Sequence, residues 1–154
     1  MTNSSNNAKM KLTRRTITDI AEILGSIKIN RIEDKEAKFA LFKNLIAMRK
    51  VAKESAADSD EIIRKFQEDW ADEIPAIRKF READKPVLGH LDYLEAEKDA
   101  NKAISDIFSQ EVELDLDRIP EGPLCEPNCW DANITAGDIL GAIDYLKDNG
   151  IIGE

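Results

Sequence analysis

The chain has 154 residues, a net charge of −9, 42% apolar and 34% charged residues, and only 6% aromatics. That composition excludes a membrane span, since no apolar run approaches the ~18 residues one needs, and it argues against an all-β sandwich. Two cysteines are too few for a disulfide scaffold, and the Asn- and Ser-rich start predicts no signal peptide.

Charge is unevenly spread. Residues 1–53 hold 12 Lys and Arg against 5 Asp and Glu, whereas residues 54–154 hold 10 against 26. Such a chain reads either as a nucleic-acid arm joined to an acidic tail or as two halves that fold against each other. The second reading is favoured, because the basic residues alternate with apolar ones at helical spacing and stacking aromatics are scarce among them.

In chain order, residues 1–8 have nothing to bury and predict a disordered tail. A short extended stretch follows at Lys9–Leu12. Thr13 suits the N-cap of a first helix whose buried face is Ile17, Ile20, Ala21, Leu24 and Ile27. A second, dominant helix begins near Asp34. Its expected apolar row is Leu41, Leu45, Met48 and Ala52, widened by Phe39, Phe42 and Ile46. The polar stretch Ser55–Asp60 holds no Gly or Pro, so one helix to about Glu73 and two helices broken at Asp58–Ser59 are both admissible. Pro75 is expected to end it, by disfavouring the helical conformation of the residue before.

Residues Ala76–Lys85 can form a short helix. A further main helix is predicted from Gly89 to Phe108, burying Leu91, Leu94, Ala100, Ala103, Ile104 and Ile107. The period then changes to two: in Glu111–Asp117 apolar and acidic residues alternate as in a half-buried strand. Its best partner is Lys9–Leu12, which would set Met10 and Leu12 beside Val112 and Leu114, and Lys9 and Lys11 against the acids. A Pro- and Cys-containing loop spans 120–133. A closing helix, Ala136–Asp148, is capped by Thr135 and stopped by Asn149-Gly150. The fold expected is mainly α: a helical bundle with a long central helix, three principal helices over 16–108, a short two-stranded β element and a C-terminal helix, in one domain over 9–154.

Candidate chemistry is sparse. Cys125 and Cys129 form a Cys-x₃-Cys pair, but a structural zinc needs about four ligands and the lone histidine, His90, is far away in sequence; free thiols are favoured over a disulfide or a metal. His90 could be a general base, yet no nucleophile is placed by sequence to meet it, and no catalytic residue is assigned. The acidic ladder Glu111, Glu113, Asp115 and Asp117 could attract a hard cation, but alternate strand residues stand ~6.5–7 Å apart, too far to chelate comfortably. It is read as a solvated face and a candidate partner-contact strand. Lys43, Arg49, Lys50 and Lys53 form a candidate basic face, read as the wet side of an amphipathic helix. No glycine-rich phosphate loop occurs. No cofactor and no metal are expected.

Several short motifs resemble uncharacterised small helical proteins of tailed phages and prophages, especially those of Bacteroides-type hosts. They are Lys11-Leu-Thr13, Leu24-Gly-Ser-Ile-Lys-Ile29, Leu41-x-x-Asn44, Val51-Ala-Lys-Glu54, Glu111-Val-Glu-Leu, Ile119-Pro, and Ile134-Thr-Ala-Gly-Asp-Ile-Leu140. The likeness covers most of residues 9–148, with 120–133 resembling an insertion. It implies a genomic setting and no catalytic residues. The expectation is a non-enzymatic protein of virion structure or assembly, in the cytoplasm or the virion, whose partners are proteins, either further copies of itself or phage structural proteins. Nucleic acid and membrane are not expected as partners. Two alternatives are an acidic inhibitor of a host defence nuclease, imitating nucleic acid, and a nucleic-acid binder using the basic front.

Overall fold

The computed structural model describes residues 7–87 and 89–153. In order the elements are β1 (Asn7–Thr13), α1 (Arg14–Gly25), α2 (Lys35–Asp69), α3 (Ile74–Glu82), α4 (Leu91–Ser109), β2 (Glu111–Asp117), β3 (Ile119–Pro120), α5 (Glu121–Leu124), α6 (Ala136–Asp148) and β4 (Ile152–Gly153). The fold is mainly helical, with a long central helix, a two-stranded antiparallel sheet and a C-terminal helix. Two compact units divide it, one drawn from Met1–Lys53 and Glu111–Glu154, the other from Glu54–Gln110.

The first unit is built around β1 and β2. They pair antiparallel with Met10 opposite Leu114, Leu12 opposite Val112, Lys9 opposite Asp115 and Lys11 opposite Glu113, the register that the two alternating patterns predict. The strand starts at Asn7, so two residues of the expected 1–8 tail belong to it; residues 1–6 lie outside the described residues. Thr13 closes the strand and opens α1, its Oγ1 accepting from the Thr16 amide at 3.2 Å. Ile17, Ile20, Ala21 and Leu24 of α1 then enter one core with Ala37, Leu41 and Met48 of α2, Leu116 of β2, and Ile139, Ile143 and Leu146 of α6. Thr135 caps α6 by accepting from the Asp138 amide, and Gly150 takes the left-handed turn (φ 76°) that ends it.

The sequence gives no warning of β3 and β4, a two-residue parallel pair in which Ile119 meets Ile152. Nor is 120–133 a loose connection. It forms α5 and a 3₁₀ turn at Pro127–Cys129, and it is held to the segment that follows α1 by Lys28 N–H to Cys129 O at 2.6 Å and Asp131 N–H to Ser26 O at 3.1 Å. Trp130 is buried there, its indole N–H donating to Leu124 O at 2.7 Å.

In the second unit, the C-terminal half of α2 accompanies α3 and α4. The helix is continuous through 55–60 and ends at Asp69, before Pro75. Pro75 begins α3 instead, at the first-turn position where its missing N–H costs nothing. Ile77 and Tyr93 are buried, and Tyr93 packs with Phe66 and Trp70 at centroid distances of 5.3 and 5.8 Å. Several residues expected in the core are less enclosed. Leu45, Phe66, Ile104 and Ile107 are half-buried, and Leu91, at the very start of α4, is 78% exposed. The bundle's deepest core comes from α1 and α6 with the start of α2.

Candidate protein-binding face

Helix α2 opens on Asp34, whose Oδ1 accepts from the Ala37 amide at 3.0 Å. Its first five turns carry apolar residues on two sides. One side, Ala37, Ala40, Leu41, Met48 and Val51, is buried. In the same row Asn44 is fully buried, with its carboxamide laid against the end of β2: Nδ2 donates to Asp117 O at 2.7 Å, and Oδ1 accepts from Asp117 N–H at 2.9 Å. A single carboxamide thus satisfies both backbone groups of one strand residue, as a neighbouring strand would. Beside it Lys43 Nζ reaches Asp117 Oδ1 at 3.0 Å. These contacts fix the rotation of α2 about its own axis.

That rotation turns Phe39, Phe42 and Ile46 outward. They are 71%, 53% and 57% exposed, which corrects the expectation that they widen the core stripe. At i, i+3 and i+7 they share one face, and at 100° per residue Lys35, Lys43, Arg49, Lys50 and Lys53 fall on the same side. All five are exposed. The candidate basic face and the misplaced aromatics are therefore one surface: an apolar strip bordered by positive charge. Single exposed apolar residues are ordinary, but a contiguous strip with a polar rim marks an interaction site.

The acidic ladder occupies a different place. Glu111, Glu113 and Asp115 are exposed on the face of the ribbon where Lys9 and Lys11 stand opposite Asp115 and Glu113, while Asp117 is turned to Lys43. Acid and base from the two ends of the sequence thus meet within one unit. The segments Met1–Lys53 and Glu111–Glu154 hold 14 Lys and Arg against 16 Asp and Glu, whereas Glu54–Gln110 holds 8 against 15. The charge asymmetry along the chain is largely cancelled in the first unit and persists in the second.

The remaining candidate chemistry is dispersed. Cys125 is exposed and Cys129 buried, and neither forms a disulfide. Burial first, and the Glu126 carboxylate second, push the Cys129 thiol up, so it stays protonated at neutral pH and is a poor nucleophile. A cleft of about 460 Å³ beside it is lined by Arg31, Glu33, Asp34, Glu126 and Cys129, and Arg31 is occupied there by Asn128 O at 3.3 Å. His90 Nδ1 lies 3.1 Å from Glu73 Oε2, with the Phe80 ring at 6.1 Å. Arg81 makes a two-pronged contact with Glu97 at 2.7 and 2.9 Å, which lowers the Glu97 carboxyl against the opposing effect of its burial. Among the described residues, no three His, Cys, Asp or Glu side chains are grouped to hold a metal ion, and no helix is long and apolar enough to cross a membrane. No protein-family model, curated protein or solved structure matches this chain.

Proposed function

We propose that this protein is a non-enzymatic binding protein that docks another protein on the outer face of α2, in the virion-structure or assembly setting that its resemblance to tailed-phage proteins implies. Its place would then be the cytoplasm of the cell or the virion. The observation that carries the reading is the exposure of Phe39, Phe42 and Ile46 in one row on a helix whose opposite side is packed. Leaving two phenylalanines and an isoleucine in water forgoes roughly 1.5–3 kcal/mol per side chain that burial would supply, so such a strip is retained for a partner. Helical anchors at i, i+3 and i+7 are the standard form of helix-mediated recognition. The basic rim sets orientation and speeds encounter with an acidic partner.

The nucleic-acid reading is less well supported, because Lys43, Lys9 and Lys11 already face carboxylates of β2. The test is affinity purification of the tagged chain and its Phe42→Asp variant from the native host cell, quantified by mass spectrometry. The expected result is a protein recovered in near-stoichiometric amount with the wild type and lost with the variant. Equal recovery with both would refute the α2 face as the docking surface.

A further inference from the structure

Among the described residues of the first unit, one further large apolar side chain is exposed: Leu140 of α6, at 63%. At 100° per residue it shares the outer side of α6 with Gly137, Gly141, Asp144, Lys147 and Asp148, all exposed, and Lys147 is paired with Glu121 at 2.5 Å. This face is smaller than the one on α2, with a single leucine where α2 has an aromatic strip; Lys147 on it is neutralised by Glu121, which leaves Asp144 and Asp148 opposite in sign to the basic rim of α2. The glycines are not demanded by the fold of the unit itself. A β-carbon at 141 would meet nothing within 4 Å, and one at 137 would meet only Thr135 Oγ1 at 3.9 Å. Glycine in a helix interior is less stable than alanine, and at 141 no internal contact offsets that cost.

Resting on the reading of α2 as a protein-docking face, we infer that the occupant is a second copy of this chain, with α6 of one copy laid along α2 of another. Pairing α2 with α2 would bring Lys50 and Arg49 against the lysines of the other helix, and like charges oppose it. Setting α6 alongside α2 in the same direction gives a matched register. Leu140 meets Phe42; three residues earlier Gly137 leaves room for the Phe39 ring; four residues later Asp144 lies beside Ile46 within reach of Lys43 and Arg49. Eight residues on, Asp148 meets Lys50. Leu140 thus coincides with Phe42, Asp144 and Asp148 each come to a base, and Lys147, level with Arg49, is held by Glu121. Every copy carries both faces, so the contact is of the kind that repeats from copy to copy, closing into a ring or continuing as a chain of subunits.

Sedimentation velocity of the full chain, from low micromolar to submillimolar concentration and at low and high salt, tests this. The expected result is association that grows with concentration and weakens with salt. Phe42→Asp and Leu140→Asp should each weaken it roughly tenfold or more. Asp148→Lys should weaken it and Lys50→Glu in the same chain restore it. All four positions are exposed, so thermal melts of the variants should match the wild type. A wild type that remains monomeric throughout, or one whose association ignores Leu140→Asp, overturns the inference. A monomer that still loses a different protein partner through Phe42→Asp overturns the second copy alone and leaves the docking face standing. A monomer that instead binds phosphatidylserine vesicles or a DNA duplex through Phe42 and Lys50 overturns both.

Discussion

Replacing Asn44 by alanine is the sharpest probe of how α2 is oriented. The side chain is fully buried, and its two hydrogen bonds, at 2.7 and 2.9 Å, satisfy the carbonyl and amide of Asp117. Alanine leaves both backbone groups without a partner. Each unsatisfied buried group costs about 1–3 kcal/mol, and the half-buried setting of Asp117 admits some water and favours the lower part of that range. The vacated carboxamide adds a small cavity cost. The sum is about 2–4 kcal/mol, a large share of a marginal stability. At a typical urea slope of about 2 kcal/mol/M, the midpoint should fall by about 1–2 M. The chain has two tryptophans, Trp70 in the second unit and Trp130 in the first. Unfolding followed by fluorescence in a Trp70→Phe background therefore reports on the unit that contains Asn44. Asn44→Asp should be worse than alanine, because it keeps an acceptor for the Asp117 amide, loses the donor to the carbonyl, and buries a carboxylate beside another acid. A loss below about 0.5 kcal/mol for alanine, or an aspartate variant as stable as wild type, would refute the account of Asn44 as a surrogate strand.

Three further outcomes are expected. Leu41→Ala should cost about 2–5 kcal/mol while its neighbour Phe42→Ala stays within about 0.5, and equal costs in urea unfolding would contradict the assigned rotation of α2. A thiol reagent should modify one cysteine per native chain, the exposed Cys125, and reach Cys129 only on unfolding; rapid reaction of both would contradict the burial of Cys129. Arg81 holds the Glu97 carboxyl below its ordinary value of 4.5, so the pair contributes stability above that pH and loses it as pH falls through the lowered value. Arg81→Gln should accordingly flatten the acid limb of a pH series of thermal melts, and parallel acid limbs in variant and wild type would contradict the pairing.

The β1–β2 ribbon was legible because two complementary alternations stand at opposite ends of the chain: Lys with apolar at 9–12, acid with apolar at 111–117. The caps Thr13 and Thr135 were legible for a similar reason, each being a hydroxyl placed just ahead of a helical period. The rotation of α2 was not. Apolar residues cover more than half of its circumference between 37 and 51, so a helical period exists on either side and cannot say which side faces inward. A polar residue decides it: Asn44 belongs to the row of Leu41 and Met48, and its demand for two backbone partners brings that row to β2. Small Ala37 and Ala40 then permit close approach, and the larger Phe39 and Phe42 are left outside. Hydrophobicity alone points the other way: it marks the basic residues as a face and puts the aromatics beside them in the core. The parallel pair β3–β4 is two residues long and carries no readable period. The 120–133 segment is ordered by backbone bonds to Ser26 and Lys28, just after α1, and by the Trp130 indole, neither of which leaves a pattern in the residues themselves. Pro75 shows the same limit, since a proline ends one helix or begins the next according to where the preceding helix has already stopped.

The central claim is that the outer face of α2 is covered by protein when the molecule works. A photoreactive phenylalanine analogue placed at Phe42 in the otherwise native chain, irradiated in the cell and compared with the same analogue at exposed Glu22 of α1, tests it most directly. The account predicts a discrete cross-linked protein species at Phe42, absent at Glu22 and lost when Ile46→Asp is added. A Phe42 probe that yields only the uncross-linked chain, or a diffuse smear equal to that at Glu22, would contradict it.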